Sequence, residues 1–103
     1  LFIEILEQKI NYEILGQGND ILLLHGWGAS IESYRPVINT LSKNFRVIAL
    51  DFPGFGNSDP LKKAWCLSDF SEMVKQFLQK LNIEKPIIIG HSHGGRVIIQ
   101  HSK

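Results

Sequence analysis

Three short apolar runs punctuate the chain: Ile21-Leu22-Leu23-Leu24, Val47-Ile48-Ala49-Leu50 and Ile87-Ile88-Ile89. Each has the length of a strand and lacks polar alternation, which suits strands covered on both faces. Between the first two runs, Ile31, Tyr34, Val37, Ile38 and Leu41 recur at helical spacing. Ser30 or Ser33 is available as N-cap, and a cap at Ser33 puts Pro36 in the first turn, where a missing N–H costs nothing. Between the second and third runs, Phe70, Met73, Val74, Phe77, Leu78 and Leu81 mark a strongly amphipathic helix, with Ser68 or Asp69 as its cap. Pro86 separates that helix from the third run. Upstream, Phe2 to Leu15 alternate roughly, with Ile10, Tyr12 and Ile14 on one face and Asn11 and Glu13 on the other. This predicts two short strands turning near Gln8, with one side able to face water. The cluster from Gly16 to Asp20 reads as a turn. Strand, helix, strand, helix, strand and a final apolar-periodic stretch predict an α/β fold: a mostly parallel sheet with a leading antiparallel hairpin and flanking helices.

Composition narrows the partners. With 44% hydrophobic and 20% charged residues over 103 positions, the chain is globular and holds one domain or a piece of one. No internal repeat, low-complexity segment or dividing linker is seen. Eleven Lys and Arg against ten Asp and Glu leave a net charge of +1, which supplies no field to steer nucleic acid or an anionic membrane, so neither is expected. The lone Cys66, beside Trp65, cannot form an internal disulfide and reads as a small buried or half-buried hydrophobe. The four histidines lack Cys or carboxylate neighbours at ligand spacing, so no metal is expected. No signal peptide is visible and a cytoplasmic address is the default. A start at Leu1 and a finish inside a helical pattern predict a chain cut at both ends.

The chemistry is concentrated where the third run ends. Gly90-His91-Ser92-His93-Gly94 fits G-x-S-x-G between a buried strand and a helical pattern. A sharp strand-to-helix turn brings backbone segments together, and glycines at 90 and 94 avoid the collision a side chain would make. Ser92 would then project at the strand's carboxyl end, near a helix N-terminus whose free N–H groups favour developing negative charge. His25-Gly26-Trp27-Gly28 follows the first run directly, and Asp51-Phe52-Pro53-Gly54-Phe55-Gly56-Asn57-Ser58 follows the second. A dinucleotide reading of Gly54 and Gly56 fails because Asp59 stands at the third glycine position, and no Walker A lysine pattern occurs. No cofactor is expected.

With its HG turn, D-x-P-G-x-G-x-S loop and nucleophile elbow in order, each at the end of a strand, the sequence resembles the N-terminal half of an α/β-hydrolase fold enzyme. The resemblance covers essentially all 103 residues, read as a single partial domain over 1–103. It implies that Ser92 is the nucleophile and that the backbone N–H groups of His93 and Trp27 form the oxyanion hole. The Trp27 indole either walls the acyl pocket or packs; both remain open. The Asp51–Ser58 loop is expected to be scaffolding without a catalytic group.

A serine hydroxyl needs a base, and in this fold the triad runs serine, acid, histidine along the chain. His101, nine positions beyond Ser92 on an expected helix, lies on the order of 13 Å away at ~1.5 Å per residue. His25 and His91 precede Ser92, break the family order and read as structural. Asp51, Asp59 and Asp69 occupy loop or cap positions. The acid, the histidine and any cap are therefore expected in a remaining C-terminal part of the fold, which is also the expected partner. The third run would be an apolar edge without that part, with poor solubility or marginal stability for the segment alone. The implied function is a serine hydrolase cleaving a small ester, thioester, amide or activated C–C bond through an acyl-enzyme, inactive as a fragment. The alternative is a non-catalytic remnant or a binding-only piece of the fold. Ser at position 92 argues against the dehalogenase and epoxide hydrolase branches, which place Asp there.

Overall fold

The computed structural model describes residues 1–25, 30–54, 56–58, 60–61 and 65–90. Among the described residues five strands form one sheet: β1 (Phe2–Ile5), β2 (Gln8–Leu15), β3 (Asp20–Leu24), β4 (Arg46–Leu50) and β5 (Ile87–Gly90). Their order is β1-β2-β4-β3-β5. The hairpin pairs antiparallel and β2 joins β4 antiparallel, whereas β4, β3 and β5 are mutually parallel. The parallel character is thus confined to β4, β3 and β5. A 3₁₀ turn (Ile31–Tyr34) and α1 (Arg35–Leu41) join β3 to β4, and α2 (Leu67–Lys80) precedes β5.

Strand alternation splits the core in two. Leu22, Leu24, Ile48, Leu50 and Ile10 face α2 through Phe70, Met73, Val74 and Phe77. Ile21, Leu23, Val47 and Ala49 face Ile31 and Ile38 on the other side. Right-handed crossovers account for this division. The step from β3 to β4 runs one way across the sheet and the step to β5 runs back, so the two helical connections must lie on opposite faces. Both apolar runs of β3 and β4 are buried on both faces, as their composition requires.

The third run is the apolar edge expected of this part of the fold alone, and one of its faces is bare. β5 stands at the edge of the described sheet, and Ile87 and Ile89 are 53% and 45% exposed. Register explains which side is bare: Ile87 and Ile89 pair with Ile21 and Leu23, on the face that α1 covers only over β3 and β4, whereas Ile88 turns toward the α2 side and packs there.

Local details refine the sequence reading. The hairpin turns at Leu6 and Glu7, both with positive φ (52° and 64°), one residue before Gln8; two successive residues in that region form the turn type whose twist matches paired strands. α1 is capped by neither candidate serine. Ser30 and Ser33 instead frame the 3₁₀ turn, where the Ser30 N–H donates to Ser33 Oγ at 3.2 Å, and Pro36 falls at the second position of α1, where its ring is tolerated. α2 begins earlier than expected, with Cys66 as N-cap and Asp69 at the third helical position accepting the Cys66 N–H at 2.9 Å. Cys66 is exposed, not buried, because its place is set by that cap.

The polar face of β2 does not simply meet water. Glu13 takes two bonds from Arg35, at 2.6 and 3.0 Å, a planar match that ties α1 to the hairpin. Together with Glu32 it holds the Arg35 guanidinium above its ordinary pKa. Gly16 sets a further constraint. At φ +87°, an added Cβ would lie 2.2 Å from the Phe45 carbonyl oxygen and 2.4 Å from that of Ser42. A Gly16→Ala protein is expected to lose about 2 kcal/mol or more, since backbone overlap adds to the cost of a left-handed conformation. Urea unfolding followed by circular dichroism measures this.

Candidate active site

The direction of the two crossovers creates the site. Strand order reverses at β3, which has β4 on one side and β5 on the other, and open α/β sheets bind ligands outside the carboxyl ends of the strands at such a reversal. Leu24 and Gly90 are partners in the parallel β3–β5 register. The chain leaves both strands side by side, with His25 next on one and His91 next on the other. Neighbouring strands lie ~4.8 Å apart, so the HG turn and the elbow motif depart from adjoining positions. Trp27, Ser92 and His93 themselves lie outside the described residues, as do His91, His101, Asp59 and the helical stretch expected after Ser92.

The described residues that frame this end form a dense hydrogen-bond network. His25 is buried at 1% exposure, and its Nε2 accepts the Phe52 N–H at 2.8 Å. That bond assigns the ring proton to Nδ1 when the ring is neutral. The ring also meets Phe52 edge-on at 4.9 Å, Phe52 meets Phe70 at 5.6 Å, and Phe70 meets Trp65 at 5.1 Å. A line of aromatic contacts thus carries the site's floor into α2. The Nε2 atom and the ring of His25 are therefore both engaged by Phe52.

Asp51 is the centre of the network. At 2% exposure, its Oδ1 accepts the Ile31 N–H at 2.7 Å, and its Oδ2 accepts the Asn57 N–H at 2.9 Å and the Asn11 Nδ2 group at 3.0 Å. A carboxylate removed from water needs such donors. Ser58 closes the loop: its hydroxyl donates to the Asp51 carbonyl at 2.6 Å and accepts the Asn11 N–H at 2.8 Å. The Asp51 N–H donates in turn to the Asn11 carbonyl at 2.9 Å.

This arrangement explains the loop's spacing. An added Cβ on Gly56 would sit 2.3 Å from the Asp51 carboxyl carbon, so position 56 must be glycine for the carboxylate to keep its partners. Gly54, at φ +88°, has open space around it and is needed only for its backbone angle. Asn11 is the residue that reading the sequence missed. It appeared there as one polar position of an alternating strand, and nothing local distinguishes it; it clamps both ends of a loop forty residues away. Among the described residues no group of three His, Cys, Asp or Glu side chains is arranged to hold a metal. No described helix is long and apolar enough to cross a membrane.

Comparison with known proteins agrees with this geometry. A family model described as alpha/beta hydrolase fold matches residues 20–100. The pimeloyl-[acyl-carrier protein] methyl ester esterase of Aliivibrio salmonicida is 39% identical over 92 residues, covering 89% of this chain and 33% of the esterase. The (E)-2-((N-methylformamido)methylene)succinate hydrolase of Acinetobacter baylyi is 35% identical over 82 residues, covering 80% of this chain and 31% of that protein. Among solved structures, a meta-cleavage product hydrolase from Pseudomonas fluorescens IP01 superposes with a TM-score of 0.90 at 31% identity, over 99% of this chain and 39% of that one. The chain therefore spans about a quarter to a third of the length of the curated relatives it matches. From the reversal of strand order to the family match over 20–100, these findings establish that the chain belongs to the α/β-hydrolase fold family.

Proposed function

We propose that this chain is the nucleophile-bearing part of a serine hydrolase, in which Ser92 attacks a carbonyl carbon and the backbone N–H groups of His93 and Trp27 receive the oxyanion. The observation that carries the reading is the Leu24–Gly90 register, which sends the HG turn and the G-x-S-x-G segment off from adjoining strand ends. Two preorganised N–H donors aimed at a developing negative charge contribute on the order of a hundredfold or more in rate. The Ser92 proton passes to a histidine as the Oγ–C bond forms. The tetrahedral intermediate then expels its leaving group with that proton, and water releases the acyl group by the reverse route. In this fold the acid and the histidine follow the serine along the chain, so they are expected from a C-terminal part of a longer protein. That part completes a domain of which residues 1–103 are one partial unit.

The substrate is a small molecule with an ester, thioester, amide or activated C–C bond. The esterase and hydrolase names among the relatives support this range. A cytoplasmic location accompanies the reading. Exposure of the full-length protein to a fluorophosphonate probe, followed by peptide mapping, is expected to place the adduct on Ser92. A folded full-length protein that takes up no probe would remove the hydrolase reading and leave the non-catalytic one.

A further inference from the structure

We infer that Asp51 is a positioning residue for the oxyanion turn, holding with its neighbour Phe52 both ends of the segment that contains Trp27. The inference rests on the proposed hydrolase reading. The segment from His25 to Ile31 is fixed at its first residue by the bond from the Phe52 N–H to His25 Nε2, and at its last by the bond from the Ile31 N–H to Asp51 Oδ1. Two consecutive residues of one loop therefore anchor a seven-residue stretch at both ends, and Trp27 lies between the anchors in sequence.

Asp51 is itself immobilised from the other side. Asn11 on β2 bonds its carboxylate, its N–H and, through Ser58, its carbonyl. The partners of the carboxylate are three neutral N–H donors from β2, the 3₁₀ turn and its own loop. Fixed donors of this kind hold a geometry, and oxyanion donors act only when their geometry is held before reaction; a misplacement of about 1 Å costs on the order of 10²-fold in rate. Asp51 thereby acts on the reaction without touching substrate. The D-x-P-G-x-G-x-S spacing has a purpose in this arrangement: Gly56 leaves room for the carboxylate, and Ser58 returns the loop to Asn11.

The test compares full-length wild type, Asp51→Ala and Asp51→Asn, with Asp69→Ala as a control that removes only the α2 cap bond. Hydrolysis of p-nitrophenyl acetate, inhibition by phenylboronic acid and amide exchange at Ile31 are measured. Asp51→Ala is expected to lower kcat about 10²-fold with KM changed less than about threefold, and to weaken the tetrahedral boronate adduct in parallel. Exchange at the Ile31 amide should rise. Asp51→Asn keeps one acceptor for Ile31 but turns an NH2 group toward the Asn57 N–H and the Asn11 side chain, so it should recover only part of the loss. Asp69→Ala should lower stability and leave kcat unchanged. Folded Asp51 variants with wild-type kcat, beside an active wild type, would overturn the positioning role; if the alanine variant does not fold, the asparagine variant and its Ile31 exchange decide. A wild type inert toward both ester and boronate would instead overturn the hydrolase reading, and the inference with it.

Discussion

Full-length protein carrying Ser92→Ala is expected to lose on the order of 10⁶-fold in kcat toward p-nitrophenyl acetate, the loss that follows when a nucleophile acting as part of a unit is removed. The size of this effect separates roles. A nucleophile takes covalent chemistry with it and leaves only what the oxyanion donors and binding contribute, about 10³–10⁴ over water. A positioning residue such as Asp51 leaves the nucleophile in place and removes only a fraction of its advantage. Steady-state kinetics on the two alanine proteins should thus differ by about four orders of magnitude. A Ser92→Ala protein that retained more than a few per cent of wild-type turnover would show that another group attacks, and the reading built on G-x-S-x-G would fall.

Phe77→Ala carries the largest expected cost in stability, about 3–5 kcal/mol, because it removes a large side chain from a site that cannot collapse. Phe77 is fully buried on α2 and meets the Tyr12 ring edge-on at 5.5 Å. It binds the helix to the hairpin, and the buried cluster to which it belongs includes Ile10, Leu22, Ile48 and Met73, from three strands and the same helix, so no single element can shift to fill the gap. Phe77→Leu should recover much of the loss, since it restores volume though not the ring contact. Urea unfolding of both proteins measures the difference, and an alanine variant within 1 kcal/mol of wild type would show that this face of the sheet is not a close-packed core.

How much of this was legible beforehand depends on distance along the chain. Helices and strands announced themselves because their apolar periods repeat within a few residues: Phe70, Met73, Val74 and Phe77 proved to be one buried face of α2, and the runs 21–24 and 47–50 proved to be buried strands. Cap positions were less legible. Ser68 and Asp69 have the right chemistry, but Asp69 serves from the third helical position, accepting the Cys66 N–H, so the cap itself falls at Cys66. The bare edge at Ile87 and Ile89 was legible only through the family resemblance, because an apolar run by itself reads the same whether or not a neighbour is present.

The order of residues alone determined the element types, the α/β class, the three strand-end motifs and their sequence, because each depends on groups close together in the chain. Tertiary structure decided the pairing of β2 with β4, the reversal of strand order at β3 and the recruitment of Asn11 to Asp51 and Ser58. Those choices bring together residues between 26 and 66 positions apart, and a hydrogen bond between them depends on crossover handedness and packing, which no local pattern encodes.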